Sequence, residues 1–118
     1  MRPAVLLAIL VAALPGAGSA HHSIAGVYDT DRSVTVNGRL TVVEVVNPHS
    51  NFMVDAGGGT VGRVESRGVA GMAQRGFDRT AFKVGDKVTV AGAPARDGSN
   101  SLWLMRLGNG RKSFSTRR

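Results

Sequence analysis

The longest strand signal in the chain runs over residues 33–46, where apolar and polar side chains alternate. One parity is apolar (Val34, Val36, Leu40 and Val42) and the other is polar (Thr35, Asn37, Arg39 and Thr41). This period of two predicts a β-strand with one buried face. Gly38 interrupts the apolar parity, as is typical of a strand that bends or bulges. Beyond Thr41 both parities become apolar, so we predict one long, bent strand that serves two sides of a barrel.

Four shorter strands and one helix are predicted after it. The strands cover residues 51–55, 60–66, 87–90 and 102–107, and the helix covers residues 69–75. Val69, Met72 and Ala73 give the helix its apolar face at i, i+3 and i+4, and Gly76 is a plausible stop. The order β-β-β-α-β-β is that of the OB-fold, a five-stranded, partly open Greek-key barrel. The predicted fold is therefore an all-β, OB-like Greek-key barrel with one short helix between strands three and four. A plain meander or sandwich of the same strands is the alternative.

The N-terminal segment has the three parts of a secretory signal peptide. Arg2 supplies the positive charge, residues 4–14 are apolar, and small residues at 18–20 form a cleavage site. We predict a signal peptide over residues 1–20, cleavage after Ala20, and a periplasmic or secreted protein. An uncleaved N-terminal anchor is the alternative, although the apolar run is shorter than the roughly 18 residues typical of a membrane span.

The remaining residues are predicted to form one domain. Residues 21–112 are assigned to a single barrel with a mostly irregular N-terminal arm, and residues 113–118 to a basic, disordered tail. We expect the arm to pack on the barrel through Ile24, Val27 and Tyr28, and the segment Asp29–Asp31 to form a turn.

Composition narrows the class of protein further. The chain has 118 residues and no cysteine, so packing and sheet closure, not disulfides, must hold an exported form together. Its net charge is +7, or +6 once Arg2 is removed with the signal peptide. Such a surface favours polyanions, and in an exported protein envelope polyanions are more accessible than nucleic acid. Solvated charge that keeps the protein soluble is the alternative interpretation.

The motifs together resemble a known family. They are His-His-Ser at the predicted mature N-terminus, the sequence VTVNGRLTVVEVVNPH, a Gly-rich hairpin, FKVGDKVTV and ARDGSNS. This pattern is similar to bacterial exported proteins grouped as a domain of unknown function with the His-His-Ser and Asn-Pro-His signature. The resemblance implies an exported β-barrel and no established activity.

Three histidines form the main candidate site. Cleavage after Ala20 would give His21 a free α-amine, so that its amine and ring nitrogen can chelate a metal together. With His22 and His49, this set of nitrogen donors suits Cu(II) or another late transition metal. Such a site requires the N-terminal arm to fold back onto the end of the first strand. Alternatively, His49 only holds a turn and His21 and His22 are solvated.

A weaker candidate is the face across strands two and three, where OB-folds bind oligonucleotides or oligosaccharides. The residues assigned to it are Phe52, Arg63, Glu65 and Arg67, for an anionic envelope ligand or a protein partner. Nucleic acid is disfavoured because stacking aromatics are few. Catalysis is not expected, because no serine has nucleophile-elbow context and no Ser-His-Asp set is indicated.

Overall fold

A computed structural model describes residues 22–117 of the chain. In chain order the elements are α1 (His22–Val27), β1 (Val34–Glu44), β2 (His49–Asp55), β3 (Val61–Arg67), α2 (Val69–Gln74), β4 (Lys87–Pro94), β5 (Ser101–Gly108) and β6 (Ser113–Ser115). The predicted signal peptide and His21 lie outside the described residues, as does the side chain of His22. None of the helices in the described part has the length and apolar character needed to cross a membrane.

β1 is the long, bent strand that the alternation predicted. Its first half, Val34 to Arg39, pairs with β4, and its second half, Arg39 to Glu44, pairs with β2. At Gly38 the neighbouring backbone comes so close that a Cβ would lie 2.4 Å from the Asp55 carbonyl oxygen. The register with β2 then shifts between Leu40 and Val42, which makes Thr41 the bulge residue. The bulge explains why the apolar parity changes after Thr41, since one extra residue reverses which face each later side chain occupies.

The sheet closes on itself through one parallel pairing. The antiparallel order is β3-β2-β1-β4-β5-β6, and residues 63–65 of β3 also pair in parallel with residues 101–103 of β5. This ring of β1 to β5, with α2 between β3 and β4, confirms the predicted OB-like barrel. Closure satisfies backbone groups that an open sheet of this composition would leave at its edges.

Apolar side chains from every strand fill the barrel, and α2 covers one end. The largest fully buried side chains include Leu40, Phe52, Met72 and Leu104. Phe77 packs on this core, with its ring centroid 5.0 Å from that of Phe114 in an edge-to-face arrangement. Met72, on the predicted apolar face of the helix, is fully buried and holds α2 over the barrel end, whereas Ala73 of that predicted face is exposed.

The Asn-Pro-His segment joins β1 to β2 and also anchors α2. The Asn47 side-chain oxygen accepts a hydrogen bond of 2.9 Å from the backbone N–H of Val69, the first residue of α2. β2 begins at His49, two residues earlier than predicted, because His49 already pairs with Arg67. The motif therefore fixes the relative position of two elements and then places His49 on the sheet.

Two terminal predictions were wrong. Residues 113–115 form strand β6 on β5, where Phe114 is only 5% exposed, and Thr116 Oγ1 donates to the Leu104 carbonyl oxygen at 2.8 Å. The segment is ordered because Phe114 fills part of the core. The N-terminal arm contains helix α1, so it is not mostly irregular, although Ile24 and Tyr28 do pack on the sheet as expected. Val27 does not pack there, being 52% exposed.

Candidate functional site

The outer face of β2 and β3 carries the polar residues that the sequence singled out. Strand alternation turns Ser50, Phe52 and Val54 into the barrel and leaves the intervening residues outside. Directly opposite pairs on this outer face are His49 with Arg67, Asn51 with Glu65, and Met53 with Arg63. This β2–β3 face brings together His49, Arg63, Glu65 and Arg67 of the predicted site residues.

Glu65 is the centre of the polar contacts on this face. Its Oε1 forms an ion pair with Arg63 Nη2, and its Oε2 lies 3.7 Å from His49 Nδ1. Arg63 Nε donates to Asn51 Oδ1 at 3.1 Å, and Asn51 Nδ2 donates to the His49 carbonyl oxygen at 3.2 Å. The Glu65 side chain is 16% exposed and that of His49 is 38% exposed. The carboxylate is therefore partly shielded from water, whereas the imidazole remains accessible to a ligand.

Two aromatic side chains form the wall behind His49. The Trp103 ring lies edge-on to the His49 ring at 5.2 Å between centroids, and the Tyr28 ring lies 6.0 Å from Trp103. Burial raises the pKa of the Tyr28 hydroxyl, and the negative charge of Glu65 raises it further, against a smaller opposing effect of a hydrogen bond with Ser101. The phenol is thus held in its protonated form, in which it can donate a hydrogen bond to Glu65.

The N-terminal arm docks on this same wall. Ile24 of α1 packs on the cluster that contains Tyr28 and Trp103. Arg96, in the β4–β5 loop, holds the arm from the other side: its Nε donates to the Ala25 carbonyl oxygen at 2.8 Å, and its backbone N–H donates to the Val27 carbonyl oxygen at 2.8 Å. The arm is therefore held against Trp103, whose ring contacts that of His49.

The structure locates only two of the three histidines of the predicted metal site. His49 lies on the β2–β3 face, His22 begins α1, and His21 falls outside the described residues. Whether their nitrogen atoms converge stays a prediction. Within residues 24–117 no three His, Cys, Asp or Glu side chains form a metal-binding group, and His49 and Glu65 are a pair.

One expectation about the binding face was wrong. Phe52 lies inside the barrel with 1% of its surface exposed, because it has the inward parity of β2. Its ring cannot stack on a ligand at the surface. The sequence interpretation also assigned no site role to Tyr28 or Trp103. The one signal for Trp103 was its parity, which is opposite to that of Leu102 and Leu104 and places it on the outer side of β5.

A wide groove lies elsewhere on the surface. It has a volume of about 680 Å³ and is open to solvent, and its lining includes Asn37, Arg39 and Lys87. The groove follows the bend of β1 between the turn at Gly57 and the turn at Gly110. It contains none of the residues that surround Glu65, so size alone does not identify the site.

Comparison with known proteins places the chain in a family and supports the fold. Residues 8–103 match a family of unknown function, DUF6152. No curated protein matches the chain. Among solved structures, a chain of the S. pombe Stn1–Ten1 complex is similar at a TM-score of 0.55 and 18% identity, covering 69% of this chain and 60% of that one. This chain thus matches about three fifths of that protein's length, and at 18% identity the similarity shows the fold alone.

Proposed function

This chain belongs to DUF6152, a family of unknown function, so we propose a role for it from its own residues. It is an exported, non-enzymatic binding protein that holds Cu(II), or another late transition metal, beside the β2–β3 face. The ligands are the N-terminal amine and imidazole of His21 after cleavage behind Ala20, and the imidazole of His49. His22 supplies a further imidazole next to them.

The observation that carries this proposal is the position of Glu65 behind His49. A metal-binding histidine usually directs its second ring nitrogen to a carboxylate, which fixes the tautomer and raises the basicity of the ligating nitrogen. Glu65 Oε2 lies 3.7 Å from His49 Nδ1. A proton on Nδ1 leaves the lone pair of Nε2 available, and the His49 side chain is 38% exposed.

The docking of the N-terminal arm supports the part of the proposed site that His21 and His22 supply. Ile24 and Tyr28 hold α1 on Trp103, and Trp103 contacts the His49 ring. The helix begins at His22, one residue after the proposed new N-terminus. An α-amine has a pKa near 8, so a metal can displace its proton close to neutral pH.

The donor types favour copper over harder cations. The chain has no cysteine, so thiolate ligands are excluded, and the proposed first ligands are nitrogen atoms. Nitrogen-rich sites bind Cu(II) most strongly of the divalent first-row metals.

Titration of the processed protein with Cu(II), followed by calorimetry and electron paramagnetic resonance, tests the site. We expect one extra residue before His21 to weaken binding strongly, because the terminal amine moves away from the ring. His49→Ala should do the same, and Glu65→Gln should weaken binding by about 10–100-fold through the orientation of His49. Glu44→Gln, an exposed carboxylate on β1, is the matched control. Equal affinity of the processed and extended forms would disprove the amine-and-imidazole site.

A second candidate function is an OB-type module for an anionic envelope ligand. The observation that favours it is the arginine content of the β2–β3 face, where Arg63 and Arg67 lie on the strands that OB-folds use for binding. Retention of the protein on heparin at low salt supports this function, and absence of retention removes it. The same face could instead bind a protein partner, which is the other ligand class of such a module.

A further inference from the structure

Two arginines lie along the same face of α2, one at each end of the helix. Arg67 is the last residue of β3, and Arg75 follows the last residue of α2. The aliphatic part of Arg67 lies against Gly71, where a Cβ would stand 2.9 Å from the Arg67 Cβ and 3.2 Å from its Cδ. The missing side chain at Gly71 therefore lets Arg67 lie along the helix toward Arg75, which is one turn further on.

Arg75 is fixed by the end of the chain. Its Nη1 donates to the carbonyl oxygen of Thr116, the residue that follows β6, and Thr116 is itself held by its hydroxyl on the Leu104 carbonyl oxygen at 2.8 Å. Both arginines are thus oriented by the fold before any ligand arrives. Pre-oriented groups lose less conformational freedom when they bind a ligand.

The two positive charges have no carboxylate partner in the described part of the chain. Within residues 24–117 the ion pairs are His49–Glu65 and Arg63–Glu65, and neither includes Arg67 or Arg75. Burial lowers the pKa of the Arg67 guanidinium, and the positive charge of Arg75 lowers it further. Two cations that repel each other without a counter-ion destabilise the fold locally, and a bound anion reverses this effect.

We propose that Arg67 and Arg75 form a binding site for a phosphate or sulfate group. A planar guanidinium presents five N–H donors in a fork that matches the oxygen atoms of such groups, and two guanidiniums match their double charge. The site deepens the second candidate function, since Arg67 lies directly opposite His49 on the β2–β3 face. It does not depend on the metal site.

Binding of inorganic phosphate to metal-free protein, followed by NMR and by the unfolding midpoint, tests the pair. We expect one saturable site that Arg67→Gln weakens by at least about tenfold, in line with the loss of charge-assisted hydrogen bonds. Arg106→Gln, an exposed arginine on β5, is the matched control and should keep the affinity. Equal losses in the two variants would show that only net charge matters and would overturn the site.

A charge-neutral variant makes the test sharper. Gly71→Ala pushes the Arg67 stem away from α2 without changing any charge, so we expect it to weaken phosphate binding severalfold. Unchanged affinity in Gly71→Ala contradicts the proposed geometry, provided that the variant retains the circular dichroism spectrum of the wild type.

Two further measurements identify which molecule carries the phosphate or sulfate group. They also show whether the arginine pair alone is wrong or the whole anion-binding function. Vesicles containing phosphatidylglycerol test a lipid headgroup, and heparin tests a sulfated polymer; loss of either interaction in Arg67→Gln supports the pair. If Arg67→Gln is retained on heparin as strongly as the wild type, the pair is wrong while the anion-binding function stands. If the wild type is not retained at all, that broader function fails first.

Discussion

Glu65 links three side chains of different chemistry. It pairs with Arg63, faces His49 Nδ1, and adds to the effect of burial, which is the main cause of the raised pKa of the Tyr28 hydroxyl. The sequence predicted only that Glu65 lies on the face across strands two and three, because a strand position fixes the face of a residue but not its partners. Tyr28 is 37 positions away along the chain, and such a distant contact depends on how the arm docks.

Tyr28 predicts a specific loss of stability in alkali. Burial, and then the charge of Glu65, raise its pKa above the ordinary value of 10.0 in the folded state, so above about pH 10 the unfolded chain loses the phenolic proton first. Stability is therefore fully present below pH 10 and falls as the pH rises through the folded-state value. Tyr28→Phe should unfold in urea with a weaker dependence on pH above about pH 10. Tyr28 is the chain's single tyrosine, so absorbance at 295 nm reports its titration directly. Equal slopes for wild type and variant would show that the hydroxyl is not shielded.

The strands of the barrel were predictable because each has a clear apolar parity, and the two terminal elements were not. Gly38 and the change of parity beyond Thr41 predicted the bend of β1, and the structure has it there. β6 is three residues long and is flanked by basic residues, so its single buried residue, Phe114, leaves no periodicity to detect. Helix α1 has six residues and includes Gly26, which lowers helix propensity by about 1 kcal/mol relative to alanine. Packing on Trp103 forms this helix, and local sequence does not reveal such packing.

Strand β6 is expected to contribute substantially to stability. Phe114 is 5% exposed and meets the Phe77 ring at 5.0 Å, so Phe114→Ala leaves a cavity in the core. Phenylalanine-to-alanine changes in cores cost about 3–5 kcal/mol. Urea unfolding measures this against Val84→Ala, a control at a residue that is 64% exposed and should change stability by less than about 0.5 kcal/mol. If the alanine variant does not fold, Phe114→Leu replaces it, because leucine removes less buried volume and should cost less stability than alanine. Equal stability of all three variants would restore the disordered-tail interpretation.

Charge is distributed unevenly over the molecule as a whole. Acidic side chains are used mainly in turns: Asp78, Asp86 and Asp97 accept backbone N–H groups at 2.8, 3.0 and 2.9 Å, and hydrogen bonds lower the pKa of each. The ion pairs within residues 24–117 both involve Glu65. Most basic side chains of the described part therefore lack a neutralising partner. Composition predicted the basic surface. Only the structure shows that several of the few carboxylates accept hydrogen bonds from backbone N–H groups in turns instead of pairing with basic side chains.

This distribution predicts that salt stabilises the protein. The net charge is +7 for the whole chain, and repulsion within it is weakened when the Debye length falls from about 10 Å at 0.1 M to about 3 Å at 1 M salt. Raising sodium chloride from 0.02 to about 0.5 M should therefore raise the unfolding midpoint, where a gain of about 1 kcal/mol corresponds to roughly 4–8 °C in a domain of this size. Sodium sulfate at equal ionic strength should raise the midpoint further than chloride in both proteins, because sulfate strengthens apolar burial, and the gain should be larger in the wild type than in Arg67→Gln, because only the wild type has the complete arginine pair. Circular dichroism melts measure both effects. A midpoint that falls with sodium chloride would mean that attractive ion pairs outweigh the repulsion. An equal gain from chloride to sulfate in the wild type and in Arg67→Gln would count against the arginine pair alone.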